Sequence, residues 1–102
     1  MNRDVNEVEH ILKERGSRYG AFSRNARMTQ NLKHVLHETT IKEPLPDYQQ
    51  EAIDMIFHKI ARVVCGDRTY EDNWIDIVGY AELALSELRA SNMQGIRNAS
   101  VN

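Results

Sequence analysis

Two segments of the chain carry carboxylates at helical spacing. Glu51 and Asp54 are three residues apart, and Asp72 and Asp76 are four residues apart. Side chains at these steps share one face of an α-helix. Carboxylate oxygens suit Mg²⁺, which also takes phosphate oxygens and lowers the pKa of a bound water molecule. We therefore treat all four residues as candidate Mg²⁺ ligands, with Glu51, Asp54 and Asp76 as the candidate catalytic residues.

The same carboxylates have a second interpretation as an ordinary solvated helix surface with ion pairs between successive turns. If the two segments form antiparallel helices, Glu51 and Asp54 lie beside the later turns of the second helix. Asp72 and Asp76 then lie beside the end of the first helix. A bend or a second subunit is needed to bring the two clusters together, so the spacing alone leaves both interpretations open.

A basic segment rich in glycine and aromatic residues precedes these helices. Residues 15–27 contain four arginines and no acidic residue, and Gly16 and Gly20 fall within them. Glycines let backbone N–H groups approach an anion, guanidinium groups bind phosphate, and aromatic rings stack on bases. A tight turn with solvated arginines is the alternative. The candidate nucleotide contacts, which combine cationic and aromatic side chains, are Arg18, Tyr19, Lys59 and Arg62.

The composition limits the class of protein. The 102 residues and 11.8 kDa suit one domain, and 13 basic against 15 acidic residues give a net charge of −2, so nucleic acid is not an expected partner. The single cysteine, Cys65, provides neither an internal disulfide nor a multi-thiolate zinc site. Without an apolar run of membrane-spanning length or a signal peptide, we expect a cytoplasmic protein that does not bind a membrane. A core of this size is modest, which favours a homo-oligomer.

Apolar residues at steps of three and four dominate the chain, which predicts an all-α fold with a compact four-helix arrangement. The predicted helices span about residues 4–15, 23–37, 46–65 and 71–90. We expect one domain over residues 1–92 and a flexible tail over residues 93–102. The core-facing residues predicted for the last helix are Trp74, Ile77, Val78, Ala81, Leu85 and Leu88.

Residues 14–20, 51–62 and 66–81 together resemble a family of small helical proteins of unknown function, encoded mostly by tailed phages and prophages. A more distant resemblance is to the all-α nucleotide pyrophosphatases of the MazG-like and dimeric dUTPase-like group. The chain is also similar to a nucleotide-modification-associated domain. The resemblance to these nucleotide-related proteins implies a dimer or tetramer with a site where subunits meet. If a phage encodes the protein, we expect it in the host cytoplasm.

The motifs match in part. The run Lys59-Ile60-Ala61-Arg62 matches the Lys-x-x-Arg of the nucleotide-modification-associated domain, although His58 stands where that domain has Asp. Residues 71–81 match its Glu-Asp-x-x-x-Asp-Leu-x-x-Tyr-Ala pattern. The MazG-like enzymes carry a Glu-x-x-Glu motif on one helix and a Glu-x-x-Asp motif on the next. Glu51-Ala52-Ile53-Asp54 fits the first in form, whereas the four-residue step from Asp72 to Asp76 departs from the second.

Three functions follow as expectations. The first is a Mg²⁺-dependent nucleoside triphosphate pyrophosphohydrolase. The second is a non-catalytic nucleotide binder that sequesters or senses a nucleotide signal, which would act against host defence. The third is a small inhibitor of a host protein. The departures from the metal-binding pattern favour nucleotide binding over turnover, so enzymatic activity is left open.

Overall fold

The structure, a computed structural model, describes residues 3–39 and 43–101, and the side-chain surroundings of residues 5–39 and 43–96. Within those ranges the chain forms four helices and no strand. The helices are α1 (Arg3–Tyr19), α2 (Phe22–Thr39), α3 (Asp47–Cys65) and α4 (Glu71–Val101). The predicted all-α fold with four helices is confirmed for this part of the chain. Residues 40–42 of the predicted connector lie outside the described residues.

Two helix ends differ from their predicted positions. Helix α1 continues through Gly16 to Tyr19, because one glycine costs a helix only about 1 kcal/mol and does not end it. The Ser17 hydroxyl also donates to the Glu14 carbonyl at 2.7 Å within that turn. Helix α4 continues to Val101 rather than ending near residue 90. Residues 93–101 of the predicted tail are therefore helical, and their flexibility stays a prediction.

Helix α3 is the central helix of the fold. Helices α1, α2 and α4 all pack against it, and α1 also contacts α2. Among the described residues, neither α1 nor α2 contacts α4. Helix α4 is therefore covered on one side only. No helix of the described chain is long and apolar enough to cross a membrane.

The α1–α2 turn and the α3–α4 turn are packed backbone to backbone. Gly20 has a left-handed backbone with φ +84°, and a Cβ there would collide with the Cys65 carbonyl. A Cβ on Gly66 would collide with the backbone of Tyr19. The Asp67 N–H donates to the Arg18 carbonyl at 2.9 Å and joins the two turns. The two turns therefore hold α1 and α2 against the C-terminal end of α3.

This contact corrects the interpretation of the glycine segment as a backbone cradle for an anion. The Gly20 N–H donates to the Gly16 carbonyl at 2.9 Å, so it is already used within the turn. Gly16 itself lies inside α1. Gly20 serves the close approach of two backbones, which no residue with a side chain permits.

The predicted core face of α4 is wrong for a single chain. Trp74 is 53% exposed and Val78, Ala81, Leu85 and Leu88 are also exposed, whereas Ile77 is half-buried. Helix α4 instead has Asn73, which is 1% exposed, and half-buried Tyr80 on the side that packs on α3. The reason is that none of the described helices of the same chain covers the face that carries Trp74. Among the described residues, the buried apolar side chains are those of Ala52 and Ala61.

We predict that Gly66→Ala lowers the free energy of unfolding by about 1–3 kcal/mol, because its Cβ forces the two turns apart. Gly79→Ala is the matched control, because a Cβ there meets nothing within 4 Å. In the interior of α4 this control should gain up to about 1 kcal/mol. Urea unfolding followed by circular dichroism checks both values. Equal stability of the two variants would contradict the packing of the turns.

Candidate functional site

A cleft of about 580 Å³ opens between α1 and α2, with α3 as its floor. It exists because the two turns hold α1 and α2 together at one end. Helices α1 and α2 contribute polar and apolar side chains to the wall, and α3 contributes two basic ones. The main lining residues are Leu12, Arg15 and Tyr19 of α1, Phe22, Asn25 and Thr29 of α2, and His58 and Arg62 of α3.

The cleft has a cationic wall. Arg15 and Arg62 line it together with His58, and none of the described lining residues is acidic. A concave surface of one charge sign focuses the field on a ligand of the opposite sign. The cleft is therefore suited to an anion, and the planar guanidinium groups suit phosphate or carboxylate.

Aromatic stacking fixes the position of Arg62. Its guanidinium carbon lies 4.3 Å from the centroid of the Tyr19 ring. The Tyr19 ring meets the Tyr70 ring edge to face at a centroid distance of 5.9 Å. Arg18 lies over the Tyr70 ring at 4.6 Å. The guanidinium of Arg62 is thus oriented before any ligand arrives, which reduces the entropy lost on binding.

Asn25 presents an unpaired acceptor at the same cleft. Its Nδ2 donates to the carbonyls of Tyr19, at 2.7 Å, and Ala21, at 3.2 Å. Because a carbonyl only accepts, these bonds fix the amide orientation and leave Oδ1 on the other side. Asn25 Oδ1 is buried without a hydrogen-bond partner. A ligand N–H or O–H group would satisfy this acceptor once the side chains that cover Oδ1 move aside.

The surroundings of His58 favour its neutral form. Partial burial lowers the pKa of its imidazole below the usual 6.5, and the positive charges of Lys33, Arg62 and Lys59 lower it further. The carboxylate of Asp54 acts in the opposite direction. A bound anion would offset the cationic neighbours and favour protonation of His58.

The four predicted nucleotide contacts separate into two groups. Tyr19 and Arg62 line the cleft. Arg18 instead stacks on Tyr70 outside it. Lys59 is 9% exposed, and its Nζ lies 2.9 Å from Asp76 Oδ2 on α4. The structure therefore brings two of the four together and assigns the other two to contacts within the fold.

Three of the four predicted metal ligands have separate partners, and the fourth is exposed. Gln50 Nε2 donates to Asp54 Oδ1 at 2.9 Å. The hydroxyl of Tyr70 donates to Asp72, which raises the pKa of Tyr70. Asp76 pairs with Lys59, and Glu51 is exposed.

No group of three or more His, Cys, Asp or Glu side chains able to hold a metal ion occurs among the described residues. The cause is the antiparallel register of α3 and α4, in which Asp76 lies level with Lys59. Asp54 precedes Lys59 by five residues, which is about 7.5 Å along the axis of α3. Among the described residues, Asp54 and Asp76 of one chain are therefore not brought together.

The sequence pointed to part of the cleft only. Arg15 belongs to the predicted basic segment, but Asn25, Thr29 and the role of His58 were missed. Thr29 is 2% exposed and lines the cleft from α2. Asn25 and Thr29 have no signature in a single sequence, because their importance follows from the angle between α1 and α2.

The fold and the cleft define a small all-α protein with an anion-receptive cleft at one end of its central helix. The chain belongs to the family described as a domain of unknown function, DUF6378, which it matches over residues 5–88. No curated protein and no solved structure matches the chain significantly. The cleft and all of α3 lie within the matched region.

We predict that Asp76→Asn lowers the free energy of unfolding by about 1–3 kcal/mol, because it leaves the buried Lys59 ammonium without its counter-charge. This loss in the free energy of unfolding is small for a broken buried ion pair, because the Asp76 side chain is 44% exposed. Exposed Glu87 on the same helix provides the control variant Glu87→Gln. Chemical denaturation measures both, and a loss no larger than that of the control would contradict a structural role for this pair.

The lowered pKa of His58 makes stability depend on pH. Below pH 6.5 the unfolded chain binds this proton more readily than the folded chain, so the free energy of unfolding decreases as the pH falls from 6.5 toward the folded pKa. His58→Gln should reduce that decrease. Denaturation curves at pH 7.5 and 5.5 for both proteins measure the difference, and identical pH dependence would contradict the assignment.

Proposed function

We propose that the chain binds a nucleotide in the cleft between α1 and α2, with its phosphates against Arg15 and Arg62. One observation carries this proposal, namely a cleft lined by Arg15, Arg62 and His58, with no acidic residue among its described lining residues, to which Asn25 with its buried, unpaired Oδ1 also belongs. Binding of a simple anion would use only the cationic side chains of the cleft. The unpaired acceptor also calls for a ligand with an N–H or O–H group.

The size and lining of the cleft support a ligand of nucleotide dimensions. Its volume of about 580 Å³ falls within the usual range for small-molecule sites. Phe22 lies on the rim with 86% of its surface exposed, so its ring can stack on a base. A base amino group or a ribose hydroxyl has the donor that Asn25 requires.

Each residue has a distinct role in this binding. Arg15 and Arg62 take phosphate oxygens in bidentate hydrogen bonds. The Tyr19 ring holds the guanidinium of Arg62 in place. His58 takes up a proton as the anion binds, so a nucleotide should bind more tightly at pH 6 than at pH 8.

The geometry favours a binding protein over an enzyme, since the carboxylates of α4 do not line the cleft. Hydrolysis with Mg²⁺ held by Glu51, Asp54, Asp72 and Asp76 stays a prediction. It requires carboxylates from a second chain, as in the homo-oligomer expected from the sequence. A binder of this kind would sequester or sense a nucleotide.

A thermal-shift screen tests the proposal, with nucleoside mono-, di- and triphosphates, cyclic nucleotides and ADP-ribose, each with and without Mg²⁺. A ligand at a hundred times its dissociation constant stabilises the folded chain by about 2.7 kcal/mol, which raises the Tm of a domain of this size by about 11–22 °C. We expect such a rise without a requirement for Mg²⁺.

Arg15→Ala and Arg62→Ala should each abolish most of the rise. Arg27→Ala is the matched control, because Arg27 is exposed on α2 and does not line the cleft. A shift that survives both cleft variants, or no shift with any nucleotide, would overturn the proposal. A shift that requires Mg²⁺ and is lost in Asp54→Ala would favour the hydrolase.

A further inference from the structure

We propose that α4 forms the interface of an antiparallel homodimer, in which its exposed apolar stripe packs along α4 of a second copy, with Leu85 and Leu88 of the two copies at the centre. The stripe consists of Trp74, Val78, Ala81, Leu85 and Leu88. This inference does not depend on the ligand of the cleft. It specifies the surface and the orientation through which the chain associates with itself.

The stripe has the spacing of a helix-pairing seam. Its residues follow one another at steps of four, three, four and three, which is the heptad repeat of two helices packed along their length. The stripe lies about a quarter turn around α4 from Asn73 and Tyr80, which are on the side packed on α3. A second helix can therefore dock on α4 without displacing α3.

The surface of the single chain is too large for a self-contained domain. Its accessible area is 8271 Å², whereas a monomer of 11.8 kDa exposes about 5,900 Å². Its radius of gyration is 18.6 Å, against about 13 Å for a globular domain of this length. One chain therefore exposes about 2,400 Å² more than expected. If each of two chains buried half of this excess, the interface would cover about 2,400 Å² in total, which is typical of obligate homodimers.

Charge complementarity identifies the occupant as a second copy in the antiparallel orientation. When Leu85 lies opposite Leu88 of the second copy, Glu82 lies opposite Arg89 of that copy. Two-fold symmetry then repeats both contacts, so the interface contains two opposite-charge pairs beside its apolar centre. In antiparallel helix pairs such flanking charges determine the register and the orientation.

The parallel orientation lacks this match. It would place Glu82 and Arg89 beside Ile77, Ala84 and Ser91 of the second copy, none of which is charged. Ala81 and Asn92 on the antiparallel seam face each other, and the small side chain of Ala81 leaves room for the amide. The antiparallel register therefore pairs Leu85 with Leu88 and Glu82 with Arg89, and it places Asn92 against the small side chain of Ala81.

Sedimentation velocity of the full chain at about 50 µM tests the interface. We expect a particle twice the 11.8 kDa mass of the chain, and for Leu85→Glu at least about a hundredfold increase in the dimer dissociation constant, because it places charges in the apolar seam. Leu83→Glu is the matched control. Leu83 is 65% exposed on the same helix but lies about half a turn from the stripe, so this variant should remain dimeric.

A charge exchange tests the orientation even if Leu85→Glu fails to fold. Glu82→Arg and Arg89→Glu should each weaken the dimer about tenfold, because each creates two like-charge contacts. The double variant should restore wild-type association. A monomeric wild type, an assembly insensitive to Leu85→Glu, or single exchanges without effect would overturn the proposal.

Discussion

The contact between the α1–α2 turn and the α3–α4 turn determines the arrangement of the whole chain. Gly20 and Gly66 let the two backbones approach closely, and the Asp67 N–H joins them through the Arg18 carbonyl. Since this contact holds only one end of α1 and α2, the two helices diverge from it and leave the cleft between them. The same contact brings Tyr19 to Tyr70 and Arg62, which orients the guanidinium at the floor of the cleft.

Helix α3 divides the molecule into two sides with different properties. On the side of α1 and α2, His58 and Arg62 contribute to a cationic cleft. On the side of α4, Lys59 is neutralised by Asp76, and the buried amide of Asn73 has no hydrogen-bond partner among the described residues. The basic residues at positions 58–62 therefore serve two purposes. Lys59 stabilises the α3–α4 pair, whereas Arg62 is available to a ligand.

The helices could be predicted because apolar residues recur at helical spacing, and the bounds of α3 follow from Pro46 and Gly66. The end of α4 could not, since residues 91–101 contain no proline and a single glycine, which one helix can include. Periodicity also failed to show what covers the face that carries Trp74. An apolar stripe looks the same whether its partner lies in the same chain or in a second copy.

The site was predicted in part for a similar reason. Composition alone revealed the cationic segment that provides Arg15 and Tyr19. Spacing along a helix revealed which carboxylates share a face, but not the register between α3 and α4, which separates Asp54 from Asp76. The unpaired acceptor of Asn25 arises from tertiary packing and was not visible in the sequence. The proposal of nucleotide binding thus rests on the cleft, and metal-dependent hydrolysis also remains a prediction.

The most direct test of nucleotide binding in the cleft is a ¹H–¹⁵N NMR titration of the full chain with ADP, with the side-chain amide of Asn25 as the reporter. The account predicts that shift changes concentrate at residues 12–30 and 58–62 and include the Asn25 amide. Changes confined to residues 71–88 of α4, or none at millimolar ADP, would contradict it.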